Sequence, residues 1–389
     1  MVNMTSVVYL LPYLPLIVPA SYVIDKKGIR FTLLLAASGN FIGSLLKVFS
    51  AHPNLFFLGL FGQTISSVAQ VFLLSMPPKL AGIWFDANQI SLACTIGILA
   101  SELGIGASFL FTPIVVRDHA NMNEIGNDLF MLFLIVGIAT FTILVLTILF
   151  FQEEPLTPPS EAQKLKSQES SNTIKSFKAL LINPPFVMLM FAFAINIGIL
   201  NSVNSLLNPI LLLHFQTNGE RLAGNVGVIC VVFGVLGCFI FGILLDKTKK
   251  FKELSVIVYV MSVIGMLAFT FAVASENKIF IYLSAMVYGF SSSYLVVGCE
   301  TGVELTYPES EFNSSGLLFG ISFTTGGIFT LLFTFILETT SDFWSNMVMV
   351  ILLTIGTVLT ICTRNVCKRQ DALRPYNLNE NVNQKIEKF

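Results

Sequence analysis

Ser21-Tyr-Val-Ile-Asp25-Lys26-Lys27-Gly28-Ile-Arg30 returns in degenerate form in the second half of the chain, as Gly242-Ile-Leu-Leu-Asp246-Lys247-Thr-Lys249-Lys250. In each copy an apolar run ends at an aspartate and gives way to basic residues. The same loop, set between long apolar runs in both halves, marks an internal duplication. Two long apolar segments precede the second copy within its half, but only one precedes the first. The pattern therefore predicts that one helix is missing from the front.

Composition fixes the solvent. Apolar residues make up 54% of the 389 positions and charged residues 12%, with a mean hydropathy of +0.79. A soluble domain carries about 25% charged residues, so this is an all-α polytopic membrane protein and the lipid bilayer is its first partner. Net charge is −1, and there is no basic stripe or aromatic-rich basic cluster, which gives no footprint for nucleic acid. The six cysteines form no CxxC pair and lie mostly in apolar runs, as small buried residues do. No P-loop, zinc-ligand spacing or catalytic triad stands out, so neither an enzyme nor a cofactor is expected.

Crossing the hydrocarbon core takes about 20 apolar residues per helix. Eleven segments qualify: 6–24, 31–49, 55–76, 90–116, 128–151, 185–215, 222–245, 254–274, 279–304, 314–337 and 343–363. They divide into an N-terminal bundle of five helices (1–151), a polar linker (152–184), a C-terminal bundle of six (185–363) and a tail (364–389). With alternate loops on opposite sides, 18 of the 22 Lys and Arg residues fall on one side, together with the tail. The basic side faces the cytoplasm, which puts the C-terminus inside and, after eleven crossings, the N-terminus outside. A twelfth helix at the front would bring both ends inside. Lys47, near a helix end, is expected to snorkel.

Polar side chains inside a membrane are costly and collect at bundle interiors and water-filled cavities. Asn201, Asn204, Ser205 and Asn208 share one helix face, and Gln63, Ser66, Ser67 and Gln70 share another. Each set either lines a cavity or bonds helix to helix. Asn208-Pro209 also frees backbone groups, a device for kinking a helix near a gate. Glu102 falls in the middle of its segment and needs a partner, a proton or a cationic ligand. Glu300 and Glu304 sit nearer a helix end, where gating or a structural ion pair is the plainer reading. His52, His119 and His214 map to the outer side or its edge.

The Asp25 and Asp246 loops resemble the signature loop of the major facilitator superfamily, which joins the second and third helices of each half. The resemblance implies two pseudo-symmetric bundles of twelve helices in all. It also implies a cytoplasmic gate in which the carboxylate caps a neighbouring helix and pairs with bases: Asp25 with Lys26 and Arg30, Asp246 with Lys247.

More specific strings are Leu14-Pro-Leu-Ile-Val-Pro19, Gly62-Gln-Thr-Ile-Ser-Ser-Val-Ala-Gln-Val-Phe72, Ile83-Trp-Phe-Asp-Ala-Asn88, Leu103-Gly-Ile-Gly106 and Val303-Glu-Leu-Thr-Tyr-Pro-Glu-Ser-Glu311. Together they resemble the feline leukaemia virus subgroup C receptor-related transporters over nearly the whole chain, and place residue 6 at the start of that family's second helix. The resemblance implies facilitated transport of choline and ethanolamine, with haem as an older proposal, in the plasma membrane or an organelle membrane. In that family a tryptophan on the first helix supplies an aromatic face for the cation. A glutamine of its fifth helix corresponds here to Glu102, a tyrosine of its seventh to Asn201, and a glutamine of its eleventh to Phe323.

Three functions compete on these observations. The first is a carrier of small organic cations, with Gln63, Gln70, Glu102, Asn201, Asn204, Asn208 and Phe323 on its cavity wall. Haem export would need an axial ligand, and His214 is the histidine at a plausible cavity mouth. The third is a non-transporting membrane protein that keeps the fold without a complete cavity.

Overall fold

The computed structural model describes residues 2–85, 90–117, 121–155, 173–215 and 219–363. Among them every regular element is helical. The first half holds α1 (Val2–Leu10), α2 (Tyr13–Phe49), α3 (Phe56–Leu74), α4 (Met76–Trp84), α5 (Ile90–Val115) and α6 (Met122–Phe150). A short α7 (Thr173–Ile182) leads into α8 (Pro184–His214), α9 (Gly219–Thr248), α10 (Phe251–Ala274), α11 (Lys278–Gly289), α12 (Tyr294–Thr306), α13 (Glu311–Thr339) and α14 (Asp342–Cys362). Lipid offers the backbone no hydrogen bonds, so apolar runs of this length close their own bonds as helices. Side chains cap several starts: Asn121 accepts from the Asn123 N–H, and Asn277 from that of Ile279.

Among the described residues ten helical stretches are long and apolar enough to cross a membrane. One of them, Thr5–Phe49, folds back on itself. Gly28, at φ +81° and ψ 177°, breaks the helical path inside α2, in a backbone region that L side chains rarely adopt. Contacts along α3 confirm the reversal. Tyr9 and Tyr13 meet Ser67 and Ser75, running parallel to α3, whereas Gly39 and Gly43 face Ala69 and Ser66, running against it. The stretch therefore supplies two crossings, and the eleven segments of the sequence are all present.

Two elements depart from the sequence reading. The polar stretch after residue 151 ends in α7, whose Thr173, Ser176, Phe177 and Leu180 are buried at helical spacing. The crossing at 279–304 is not one helix, because Phe290–Ser293 forms a 3₁₀ segment between α11 and α12. Gly234 and Gly237 of α9 approach this segment closely, leaving no room for a Cβ against Ser292 and Phe290.

Small residues let helices touch along both halves. A Cβ on Gly43 would lie 2.6 Å from the Gly62 carbonyl, and one on Gly198 3.2 Å from the Gly326 nitrogen. The halves meet along two seams. In one, the first limb of α2 lies along α13, with Ile17 over Gly316 and Leu14 over Gly320. In the other, α5 lies along α9, with Phe109 over Gly224 and Gly227 and Gly106 against Val231.

Candidate functional site

Between these seams lies a cavity of about 1030 Å³. α3, α5, α8 and α13 bring Gln63, Gln70, Glu102, Asn201, Asn204, Asn208 and Phe323 to its wall, all seven residues nominated from the sequence. Ser205 joins the face of α8, which runs on unbroken through Pro209. The face of α3 splits. Gln63 and Gln70 reach the cavity, while Ser67 donates to the Tyr9 carbonyl at 2.6 Å and Ser66 packs on Gly43. Helical periodicity could not separate these two roles. Tyr9, Phe109, Phe319 and Glu220 also line the space, and nothing in the sequence had set them apart from ordinary apolar or loop positions.

The wall carries charge of one sign. Its carboxylic acids are Glu102 and Glu220, and no Lys or Arg lines it among the described residues. Glu102 is only 8% exposed and forms no ion pair or hydrogen bond among the described residues. An isolated carboxylate at membrane depth costs roughly 2.5–3.5 kcal/mol on insertion scales, which a cationic occupant or a proton offsets. Lys47 does not snorkel outward as expected. Its ammonium turns to Gln63 and donates to Oε1 at 2.7 Å.

The wall also carries an aromatic group. Phe323 packs edge-on to Tyr13 at 5.3 Å between centroids and tilts against Phe319 at 6.2 Å. The Tyr13 hydroxyl is in turn held to Ser75 Oγ at 2.7 Å. These contacts fix the ring that the cavity sees. An aromatic face of this kind attracts a desolvated ammonium by about 2 kcal/mol.

The Asp25 end of the cavity is closed by polar bonds between the halves. Ser21 on α2 donates to Asn313 Oδ1 on α13 at 2.6 Å, Asn313 Nδ2 donates to Ser176 Oγ at 3.1 Å, and Ser176 donates to Glu309 at 2.5 Å. Asp25 pairs with Lys79 of α4 at 3.1 Å and accepts from Thr173 of α7 at 2.9 Å. The expected pairing of Asp25 with Lys26 and Arg30 is not how this end is built. Lys26 is exposed, and the Arg30 guanidinium donates to the Ile148 carbonyl at 3.5 Å. Nor does Asp25 cap the neighbouring helix; Glu153 does so instead, accepting from the N–H groups of Ile29 and Arg30. The Asp25 carboxylate is engaged by Lys79 and Thr173 instead. In the second copy Lys247 lies exposed in the last turn of α9, and the side chain of Asp246 lies outside the described residues. Glu304 is buried and Glu300 half-buried on α12, each engaged within the fold.

His214 is not at the cavity mouth. It is absent from the wall, and its two ring nitrogens face Asp342 at 2.9 Å and Glu276 at 3.3 Å, tying α8 to α14 and to the turn after α10. Those carboxylates occupy both positions from which an imidazole could ligate iron. His52 accepts from the Asn54 N–H, and His119 lies outside the described residues.

Two inter-half seams enclosing a polar-walled cavity, on helices in two halves that each carry a charged loop, are the architecture of a membrane transporter. The family model of the Major Facilitator Superfamily matches residues 1–308. The fold is also that of the Escherichia coli fucose:proton symporter (TM-score 0.70, 13% identity, 94% of this chain and 90% of that one). A D-xylose-proton symporter superposes with a TM-score of 0.72 at 14% identity, over 94% of this chain and 87% of that one. The chain is thus a multi-pass transporter of that superfamily. Within it, the sequence is 37% identical over 376 residues to the choline/ethanolamine transporter flvcr2a of Danio rerio, covering 95% of this chain and 80% of that protein. To human choline/ethanolamine transporter FLVCR2 it is 35% identical over 376 residues, or 95% of this chain and 71% of that one. It belongs to the feline leukaemia virus subgroup C receptor-related family.

Proposed function

We propose that this chain carries small organic cations of the choline and ethanolamine type through the membrane by alternating access. The names of its relatives point to that substrate class. The observation that carries the reading is that Glu102 and Phe323 both line one cavity, whose described wall residues include no Lys or Arg. The carboxylate supplies charge and the ring supplies a quaternary-ammonium face. The amides of α3 and α8 supply partners for a substrate hydroxyl. In its plainest form the carrier is a facilitative uniporter that consumes no cofactor. The two bundles rock about the midplane site, and Asp25, Lys79, Thr173, Ser21 and Asn313 hold one end shut. Residence in the plasma membrane is what the family resemblance implies, and the charge asymmetry of the loops supports an orientation with the basic end and the C-terminal tail in the cytoplasm.

The test is uptake of labelled choline and ethanolamine into vesicles reconstituted with the purified protein. Glu102→Gln and Phe323→Ala are each expected to lower uptake by about tenfold or more, since each removes a contact of at least about 1.4 kcal/mol. Unchanged uptake in both variants would remove these residues from the site.

A further inference from the structure

A uniporter must return empty, and here the empty cavity keeps a buried carboxylate. Glu102 is 8% exposed, faces the cavity and has no ion pair among the described residues. The titratable groups on the elements packed against α5 bring it no counter-charge. Cys238 of α9 packs against Leu99 of α5. Lys79 of α4 is held by Asp25, and Asp128 of α6 accepts from the Arg117 N–H beyond the other end of the helix. Beside Val296, which packs on Leu99, α12 carries Cys299, Glu300 and Glu304. Tyr9 and Glu220 complete the ionisable groups of the wall. The cations nearby are engaged elsewhere or exposed: Lys79 by Asp25, Lys47 by Gln63, with Arg221 and Lys247 exposed near the two ends of α9, and none pairs with Glu102 among the described residues.

We propose that Glu102 exchanges its occupant: an organic cation on one stroke and a proton on the other, so that transport of the cation is coupled one-for-one to a proton moving the opposite way. When the cation arrives, the carboxyl proton leaves to bulk water and the carboxylate pairs with the ammonium. When the cation departs, a proton from the new side takes its place. Glu102 is then compensated during both crossings, and the empty, ionised carrier is the state that crosses slowly. The same group that selects the cargo sets the coupling. This rests on the organic-cation reading above and replaces its uniport form.

The experiment uses the purified protein in vesicles that enclose a pH-reporting dye. With about two pH units across the membrane, inside acidic, labelled choline is expected to accumulate up to about a hundredfold, the ratio that one-for-one linkage to the proton allows. Added choline at equal pH is expected to make the interior more alkaline. Because one positive charge replaces another, uptake should not respond to a potassium diffusion potential. Glu102→Asp keeps these behaviours, and Glu102→Gln, which cannot ionise, loses the response to the pH gradient. Uptake by the unmodified protein that follows the potential and ignores the pH gradient would overturn the exchange while leaving the organic-cation reading intact. Absence of both choline binding and choline uptake would overturn the two together. The measurements on the unmodified chain decide the matter even where a variant fails to fold.

Discussion

The Glu153 carboxylate caps the helix that begins at Ile29, accepting the Ile29 N–H at 2.6 Å and the Arg30 N–H at 2.8 Å. It reaches back from the end of α6 to the turn where α2 reverses. A carboxylate at a helix N-terminus satisfies orphan N–H groups and complements the helix dipole.

Loss of that cap has a measurable effect. Glu153→Ala is expected to lower stability by about 1–2 kcal/mol, read as a fall in the thermal unfolding midpoint of the detergent-solubilised protein. Glu153→Gln, which keeps an acceptor, should lose less. Gly28→Ala should destabilise as well, because Gly28 has φ +81° and a Cβ there would overlap the Glu153 carboxylate. A midpoint unchanged in both Glu153→Ala and Gly28→Ala would refute this account of the turn.

The bolt between the halves makes a second prediction. Asn313→Ala removes the bonds to Ser21 and Ser176, each worth about 0.5–1.5 kcal/mol. Opening at the Asp25 end should become several-fold more populated. Spin labels at the exposed positions Lys26 and Lys247 would report it as a larger share of long distances. Identical distance distributions in Asn313→Ala and the unmodified protein would show that the bolt does not control that end.

Close packing inside the second half gives a third. A Cβ on Gly356 would overlap the Tyr259 hydroxyl, which donates to the Ala192 carbonyl at 2.6 Å. Gly356→Ala is expected to cost about 1–3 kcal/mol through overpacking. Gly242→Ala, where nothing lies within 4 Å, is expected to be neutral or stabilising by up to about 1 kcal/mol from helix propensity. Equal unfolding midpoints for the two variants would contradict the packing described.

Much of this was legible in the chain because lipid leaves the backbone few choices. Apolar runs gave every crossing, and the repeated Asp-Lys loop gave the superfamily. Intramembrane polarity gave six wall residues, since Glu102 and the amides of α3 and α8 are expensive anywhere but a cavity, and the family resemblance gave the seventh, Phe323. Pairing partners were not legible. Asp25 binds Lys79 and Thr173, and Glu153 takes over the helix cap, through contacts between residues far apart in sequence that no local pattern encodes. The 3₁₀ segment at Phe290–Ser293 left a trace in its run of three serines, but hydropathy alone reads straight across it. His214 was placed by chain position, and only the fold shows that it belongs to the pair Asp342 and Glu276.

The central claim, that the cavity recognises positive charge through Glu102 and Phe323, is tested most directly by equilibrium binding to the purified protein. Choline is compared with its neutral isostere, in which carbon replaces the quaternary nitrogen. The two ligands have the same shape and hydroxyl, so the difference isolates the charge. Choline is expected to bind at least about tenfold more tightly, with the preference falling toward unity in Glu102→Gln and shrinking in Phe323→Ala. Equal binding of the two ligands to the unmodified protein, or a preference that survives intact in both variants, would contradict the claim.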